Sequence, residues 1–297
     1  MVMLTKAKSV VLFSLLVSVV VDPASIRAST IRDDVPDSSY LDLGASPAYA
    51  SVGLFVNSWG YTGCGTLIAP DWVLTAAHLL SAATSGTFTI DGISYNSSEI
   101  IRFPGWNGAA LSGNDFGLVH LSSPVSGVAP ASLYTGSSEF GQVGTYVGYG
   151  FTGTGLTGYQ TSLGTQRRGF QNVIDGDFGK PALLLGGDFD NPHTIANNLW
   201  GDAAPLSLEG CVTPGDSGGG MFITVDSQTY LAGVISFVAS TGGNQNGVYG
   251  NLSGSGRVSS FVPWIVTTVP EPSTYLLLAG SGFALFIGRR HKMNQPH

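Results

Sequence analysis

From Tyr49 to Val266 the apolar residues fall in short runs, among them Ser51–Val56, Trp72–Leu74, Phe116–Leu121, Thr145–Tyr149, Tyr230–Phe237 and Gly247–Tyr249. Gly, Ser, Asn and Pro separate them, and no helical period is sustained through the stretch. Short runs bounded by turn residues read as β-strands. Without interleaved helices they favour a barrel or sandwich over βαβ units. The 42 glycines of the 297 residues serve that pattern. One helical segment is expected near the end, Val258 to Thr267, where Ser259 or Ser260 can cap a short turn leading into Trp264 and Ile265. The Gly141–Gly169 stretch holds too many Tyr, Phe and Val residues for a linker and reads as strands and loops.

Charged residues make up 10% of the chain, against roughly 25% in ordinary soluble domains. The net charge of −7 leaves no basic block inside the folded region, so nucleic acid is excluded as a partner. The two cysteines, Cys64 and Cys211, lack the CxxC spacing of a metal or redox site. They can pair only if their Cβ atoms come within about 3.8 Å. Asp175, Asp177, Asp188, Asp190 and Asn191 fit no EF-hand spacing and read as solvated loop residues. No metal or other cofactor is expected.

Both ends carry address signals. Lys6 and Lys8, an apolar run from Val10 to Val21 and small residues from Ala24 to Ala28 follow the order of a secretory signal peptide, residues 1–28. Cleavage after Ala28 fits, with Ile26 departing from the small-residue rule. Residues 29–48, polar and Asp-rich, read as an extended leader outside the core. Residues 269–297 begin Val-Pro-Glu-Pro-Ser-Thr, continue through an apolar segment from Tyr275 to Gly288 and end in Arg289, Arg290, His291 and Lys292. That order resembles the PEP-CTERM sorting signal of Gram-negative bacteria. The resemblance implies an exosortase-type partner, a hydrophobic helix inserted transiently in the inner membrane, and delivery to the cell surface or medium.

Three segments carry chemistry. Gly215-Asp216-Ser217-Gly218-Gly219-Gly220 places a serine among glycines, which let backbone approach a substrate closely. In this reading Ser217 is the nucleophile, and the N–H groups of Gly215 and Ser217 form an oxyanion hole. Thr75-Ala76-Ala77-His78 ends an apolar strand with a histidine suited to general-base work. His120 and His193 compete for that role, because His291 and His297 lie in the tail. Asn114-Asp115-Phe116 brings a carboxylate into an apolar strand, where a histidine N–H would satisfy it. Gly-Asp-Ser-Gly-Gly also fits the nucleophile elbow of α/β-hydrolases, but their histidine follows the serine, and here only tail histidines do.

Together the three segments, in the order His, Asp, Ser, resemble the trypsin-like (chymotrypsin, S1) serine protease family, over most of residues 49–267 and only weakly from Gly153 to Gly210. The resemblance implies an all-β fold of two six-stranded antiparallel barrels with a short C-terminal helix, filling residues 49–268. It also implies peptide-bond hydrolysis of polypeptide substrates, with His78, Asp115 and Ser217 as the catalytic set. Cys211, Ser236, Val238 and Gly247 fall around the family's substrate pocket. Cys211 stands where trypsin-like enzymes keep an aspartate for basic substrates, which disfavours cleavage after Lys or Arg. Val238 in place of a pocket glycine narrows the entrance and favours small or medium apolar residues. Two further departures stand out. No Ile-Val-Gly-Gly segment precedes Ser51-Val52-Gly53 to supply an N-terminus for Asp216, and Leu79 replaces the cysteine that would partner Cys64.

Overall fold

The computed structural model describes residues 29–163, 166–201, 204–243 and 246–270. The expected signal peptide and the apolar sorting segment from 271 onward lie outside them. Among the described residues no helix is long and apolar enough to cross a membrane.

A short strand, β1 (Ser29–Ile31), leads to a helix, α1 (Asp37–Ala45). Six strands follow: β2 (Val52–Asn57), β3 (Thr62–Ala69), β4 (Trp72–Thr75), β5 (Gly86–Ile90), β6 (Ile93–Arg102) and β7 (Gly117–Leu121). They close into a barrel in the order β2-β3-β4-β7-β6-β5. The second half contains β8 (Val143–Gly148), β9 (Phe151–Thr154), β10 (Gly158–Leu163), β11 (Arg168–Val173), β12 (Leu184–Asp188), β13 (Gly210–Cys211), β14 (Gly220–Val225), β15 (Gln228–Ala239) and β16 (Leu252–Arg257). It ends in α2 (Val262–Thr268). Six of these strands form one sheet in the order β11-β8-β14-β15-β16-β12, a half-barrel whose outer strands approach through Asn172 Nδ2, which donates to the Asp188 carbonyl. A smaller sheet, β10-β9-β1-β13, flanks it.

The expected architecture holds, with two refinements. The second six-stranded unit is curved but not closed by a complete ladder. Gly247–Tyr249, read as an apolar stretch among the strands, is a turn with Gly247 at φ +69°, and the strand begins at Leu252.

One core runs across the halves. Val52, Phe55, Leu67, Val73, Leu74 and Phe88 of the barrel share a buried cluster with Val147, Phe222, Leu231 and Val234 of the second sheet. Phe116 stacks on Phe261 at 3.9 Å between ring centres, joining the approach to β7 to the segment before α2. Register does the positioning. Thr75 of β4 lies opposite Gly117 of β7, so the residues just after β4 and just before β7 emerge at the same barrel end. His78 and Asp115 are those residues.

Residues 29–48 are not an extended leader. Ser29, Thr30 and Ile31 are buried in a sheet, and Tyr40 of α1 is fully buried with its hydroxyl donating to the Glu209 carbonyl at 2.9 Å. The segment is polar because it docks through polar partners. Arg168 of β11, 1% exposed, pairs its guanidinium with Asp37 in the first turn of α1. Removing one member of a buried pair strands the other. Asp37→Ala is expected to cost about 3 kcal/mol of stability, lowering Tm by roughly 6–12 °C in a thermal melt.

Three of the five residues in the acidic group are not solvated either. Asp188, Asp190 and Asn191 are buried, and Asp188 Oδ2 accepts from the Leu199 and Trp200 amides, pinning the loop after β12. Burial and then the nearby Asp188 charge push the Asp175 carboxyl up to about 7. The folded state therefore holds a proton that the unfolded chain has lost between about pH 4 and pH 7. This group's contribution to stability falls as pH rises through that window. Asp175→Asn is expected to raise Tm at pH 8, with the gain shrinking towards pH 4 in melts across that range.

Candidate active site

His78 lies in a single 3-10 turn, Ala77–Leu80, that terminates β4. Its backbone N–H donates to Asp115 Oδ1 at 2.8 Å, and its Nδ1 lies 2.7 Å from Asp115 Oδ2. A carboxylate only accepts, so Nδ1 is the donor of this bond, the arrangement that in a neutral imidazole makes Nε2 the acceptor. Asp115 is 1% exposed, whereas His78 is 34% exposed. The carboxylate is thus sealed in the interior, and the imidazole reaches from it to the surface.

A third donor to Asp115 comes from the other half of the molecule. Ser236 Oγ donates to Asp115 Oδ2 at 2.6 Å. The β15–β16 register slips between Ile235 and Phe237, so Ser236 is the extra residue of a bulge, a device that re-aims a side chain. Sequence reading placed Ser236 at the pocket but gave no sign of this bond, because bulge position is set by pairing. The competing histidines are engaged elsewhere. His120 stacks on Trp72 and meets Asp71 at 3.1 Å, and His193 meets Asp33 at 3.1 Å.

Ser217 sits in the turn between β13 and β14, clamped from two sides. Its carbonyl accepts from Cys64 N–H of β3 at 2.7 Å, and the next amide, Gly218 N–H, donates to the Ile235 carbonyl at 2.7 Å. Gly218 has φ +81°, and a Cβ there would stand 2.2 Å from both the Cys64 carbonyl oxygen and Thr75 Oγ1. Only glycine lets the turn press this closely against the strand that leads to His78.

Two N–H groups in the turn are aimed by bonds on the far side of their peptide planes. The Pro214 carbonyl accepts from Phe151 N–H at 2.8 Å and the Asp216 carbonyl from Gly219 N–H at 2.9 Å. In a trans peptide the N–H points opposite to the carbonyl, which turns the Gly215 and Ser217 N–H groups away from those partners. Among the described residues neither finds an acceptor.

Val212, Thr213, Pro214, Ser217, Ile235, Ser236, Phe237 and Val238 line one mostly apolar cleft of about 280 Å³. Ser236 and Val238 are among its lining residues. Cys211 lies fully buried behind Val238, packed with Phe189 and Tyr249. Its thiol is pushed by burial up to about 12, so no anion stands there at neutral pH. Gly247 packs against Thr30 and Thr213 behind the cleft wall. Cys64 and Cys211 are both free. Cys64 Sγ instead donates to the Gly215 carbonyl at 3.1 Å, and burial raises its thiol well above the ordinary range. Asp216, fully buried, accepts from Gly150 N–H, Thr213 N–H, Thr213 Oγ1 and Ser29 Oγ.

Residues 44–179 match the Trypsin family, and residues 268–292 match the PEP-CTERM protein-sorting motif. The chain is similar to chymotrypsin-like elastase family member 3B of Macaca mulatta, 30% identical over 238 residues that cover 71% of this chain and 84% of the relative. The human protein of that name is 29% identical, covering 74% and 82%. Chymotrypsin-like elastase family member 1 of Rattus norvegicus is 28% identical, covering 70% and 79%. The chain belongs to the trypsin-like serine protease family and is a serine endopeptidase that carries a PEP-CTERM sorting motif.

Proposed function

We propose that the protein hydrolyses peptide bonds through an acyl-enzyme formed on Ser217, with His78 as general base, Asp115 as its orienting partner and the Gly215 and Ser217 N–H groups as the oxyanion hole. The observation that carries this reading is the sharing of Asp115. One buried carboxylate accepts from the His78 backbone, the His78 ring and Ser236 in the wall of the cleft that Ser217 lines. His78 Nε2 takes the Ser217 proton as Oγ attacks the scissile carbonyl, then returns it to the leaving amine. Water, activated by the same imidazole, releases the acyl group. Each oxyanion donor is worth on the order of 10²–10³ in rate.

The substrate residue before the scissile bond is small or medium and apolar. The cleft is mostly apolar, Val238 is part of its wall, and Cys211 behind it offers no counter-charge to Lys or Arg. The elastase names of the relatives accord with this. Export follows the N-terminal signal. The PEP-CTERM tail holds the chain in the inner membrane of a Gram-negative cell through Tyr275–Gly288 until an exosortase-type enzyme releases it to the surface or medium. Cleavage of a proteome-derived peptide mixture, read by mass spectrometry, is expected to give Ala, Val, Leu and similar residues before the cut. Dominance of Lys or Arg would contradict the pocket assignment, and no Ser217-dependent cleavage would contradict the activity.

A further inference from the structure

Trp59 and Tyr61 are 67% and 70% exposed, the two most exposed Phe, Trp or Tyr side chains among the described residues. Singly exposed apolar residues are ordinary, but two large rings on one turn concentrate apolar surface. They flank Gly60 at the tip of the β2–β3 hairpin, where Gly60 takes φ +81°. No charged residue falls between Asn57 and Thr62.

The tip is held by hydrogen bonds, and several of them reach the segment that carries His78. Asn57, itself buried, accepts the Trp59 and Tyr61 amides on Oδ1 at 2.9 and 3.1 Å, while its Nδ2 donates to the Leu79 carbonyl at 2.7 Å. The Trp59 ring is fixed as well, because Nε1 donates to the Ala82 carbonyl at 2.8 Å. Ser58 N–H donates to the Ser85 carbonyl at 2.9 Å, and Ser58 Oγ accepts from Thr84 N–H at 3.2 Å. Rings held in place before a ligand arrives bind it with less loss of freedom.

β3 runs from this tip to the nucleophile turn. Cys64 N–H donates to the Ser217 carbonyl at 2.7 Å, and a Cβ on Gly63 would stand 2.9 Å from that carbonyl oxygen. Tyr61 lies two residues before Gly63, about 7 Å along an extended chain. The apolar cleft beside Ser217 is built by the second half of the molecule, through Val212, Ile235 and Val238, whereas this wall belongs to the first barrel. A substrate that fills the cleft therefore crosses Ser217 towards the hairpin and the His78 turn, where the leaving amine collects its proton in the proposed mechanism.

We infer that Trp59 and Tyr61 form an apolar subsite on the leaving-group side, which holds an aromatic or large aliphatic side chain at the second residue after the scissile bond. This subsite rests on the proteolytic reading above and adds a second feature to the substrate that it selects. An extended peptide rises about 3.3 Å per residue, which brings that second residue level with the hairpin tip. Indole and phenol rings give a large apolar contact area and favour a further aromatic ring in offset or edge-to-face packing.

The test acylates Ser217 of the exported protein with an apolar peptide ester and lets dipeptide amides compete with water for the acyl group. The acceptor's α-amine attacks the ester carbonyl, a C–N bond replaces the C–O bond to Ser217, and the amine proton passes through His78 to the released Oγ. The ratio of peptide to hydrolysed product, read by chromatography, reports how well each acceptor is held on the leaving-group side. Ala-Phe-NH₂ is expected to capture the acyl group at least about tenfold more efficiently than Ala-Gly-NH₂. Tyr61→Ala and Trp59→Ala are each expected to cut that preference about threefold, and the double variant to bring it within about twofold of unity. Tyr61→Phe, which keeps the ring, is expected to retain it. The hydrogen bonds of Tyr61 are made by its main chain, so the thermal melt of Tyr61→Ala is expected to match the wild type. Equal capture of the two acceptors by the wild type, or an unchanged preference in the double variant, would overturn the subsite while Ser217-dependent acyl transfer upholds the proteolytic reading. No Ser217-dependent transfer to water or to either acceptor would overturn that reading and the subsite with it.

Discussion

Ser217→Ala and His78→Ala are each expected to lower kcat by on the order of 10⁶ with KM little changed, and their double variant to be no worse than either. In the proposed mechanism the nucleophile and its base act as one unit, so losing either abolishes the covalent route. Neither change should disturb folding. The clamps on the turn are backbone bonds, Ser217 carbonyl to Cys64 N–H and Gly218 N–H to Ile235, and they survive loss of the hydroxyl. His78 is partly exposed and its main-chain bond to Asp115 does not need the ring. Steady-state kinetics on an apolar peptide ester with parallel thermal melts checks this. Independent, multiplying losses in the double variant would show that the two residues do not share a step.

Asp115→Asn is expected to lower kcat by about 10⁴ with the fold retained. An amide keeps the size of the carboxylate but can present its NH₂ group to the ring. Nδ1 would then become the acceptor and the proton would move to Nε2, the atom that in the proposed mechanism must be bare to take the Ser217 proton. Ser236 Oγ bonds the same Oδ2 atom that faces Nδ1 and adds a second constraint on that oxygen. Rates measured against pH are informative here. A loss that persists across the range in which the wild type is active fits a tautomer fault, and a loss repaired simply by raising pH would contradict it.

The three segments proposed to carry the chemistry stand out in the sequence because each couples a local pattern to a strand end: the buried Trp72–Thr75 run before His78, the run entered through Asp115-Phe116, and the glycines around Ser217. Three of the six strands of the first barrel, β2, β4 and β7, read directly from apolar runs with turns between them. What escaped the sequence was burial through polar contacts. The Asp37–Arg168 pair holds α1, the Tyr40 hydroxyl is satisfied inside, and Asp188 organises a loop from a buried position. A polar segment looks solvated until its partners, 131 residues away in the case of Asp37 and Arg168, are known. Ser236 and Ser29 escaped for a related reason. Their hydroxyls meet Asp115 and Asp216 across sequence separations of 121 and 187 residues, set by sheet register and not by any local motif.

The most direct test of the catalytic assignment is intact-mass and peptide-level analysis of the protein after reaction with a fluorophosphonate. The account predicts one adduct per chain, on Ser217, absent in Ser217→Ala and at least about 10³-fold slower in His78→Ala. A folded protein that takes up no reagent, or carries it on another residue, would contradict the assignment of Ser217 and His78.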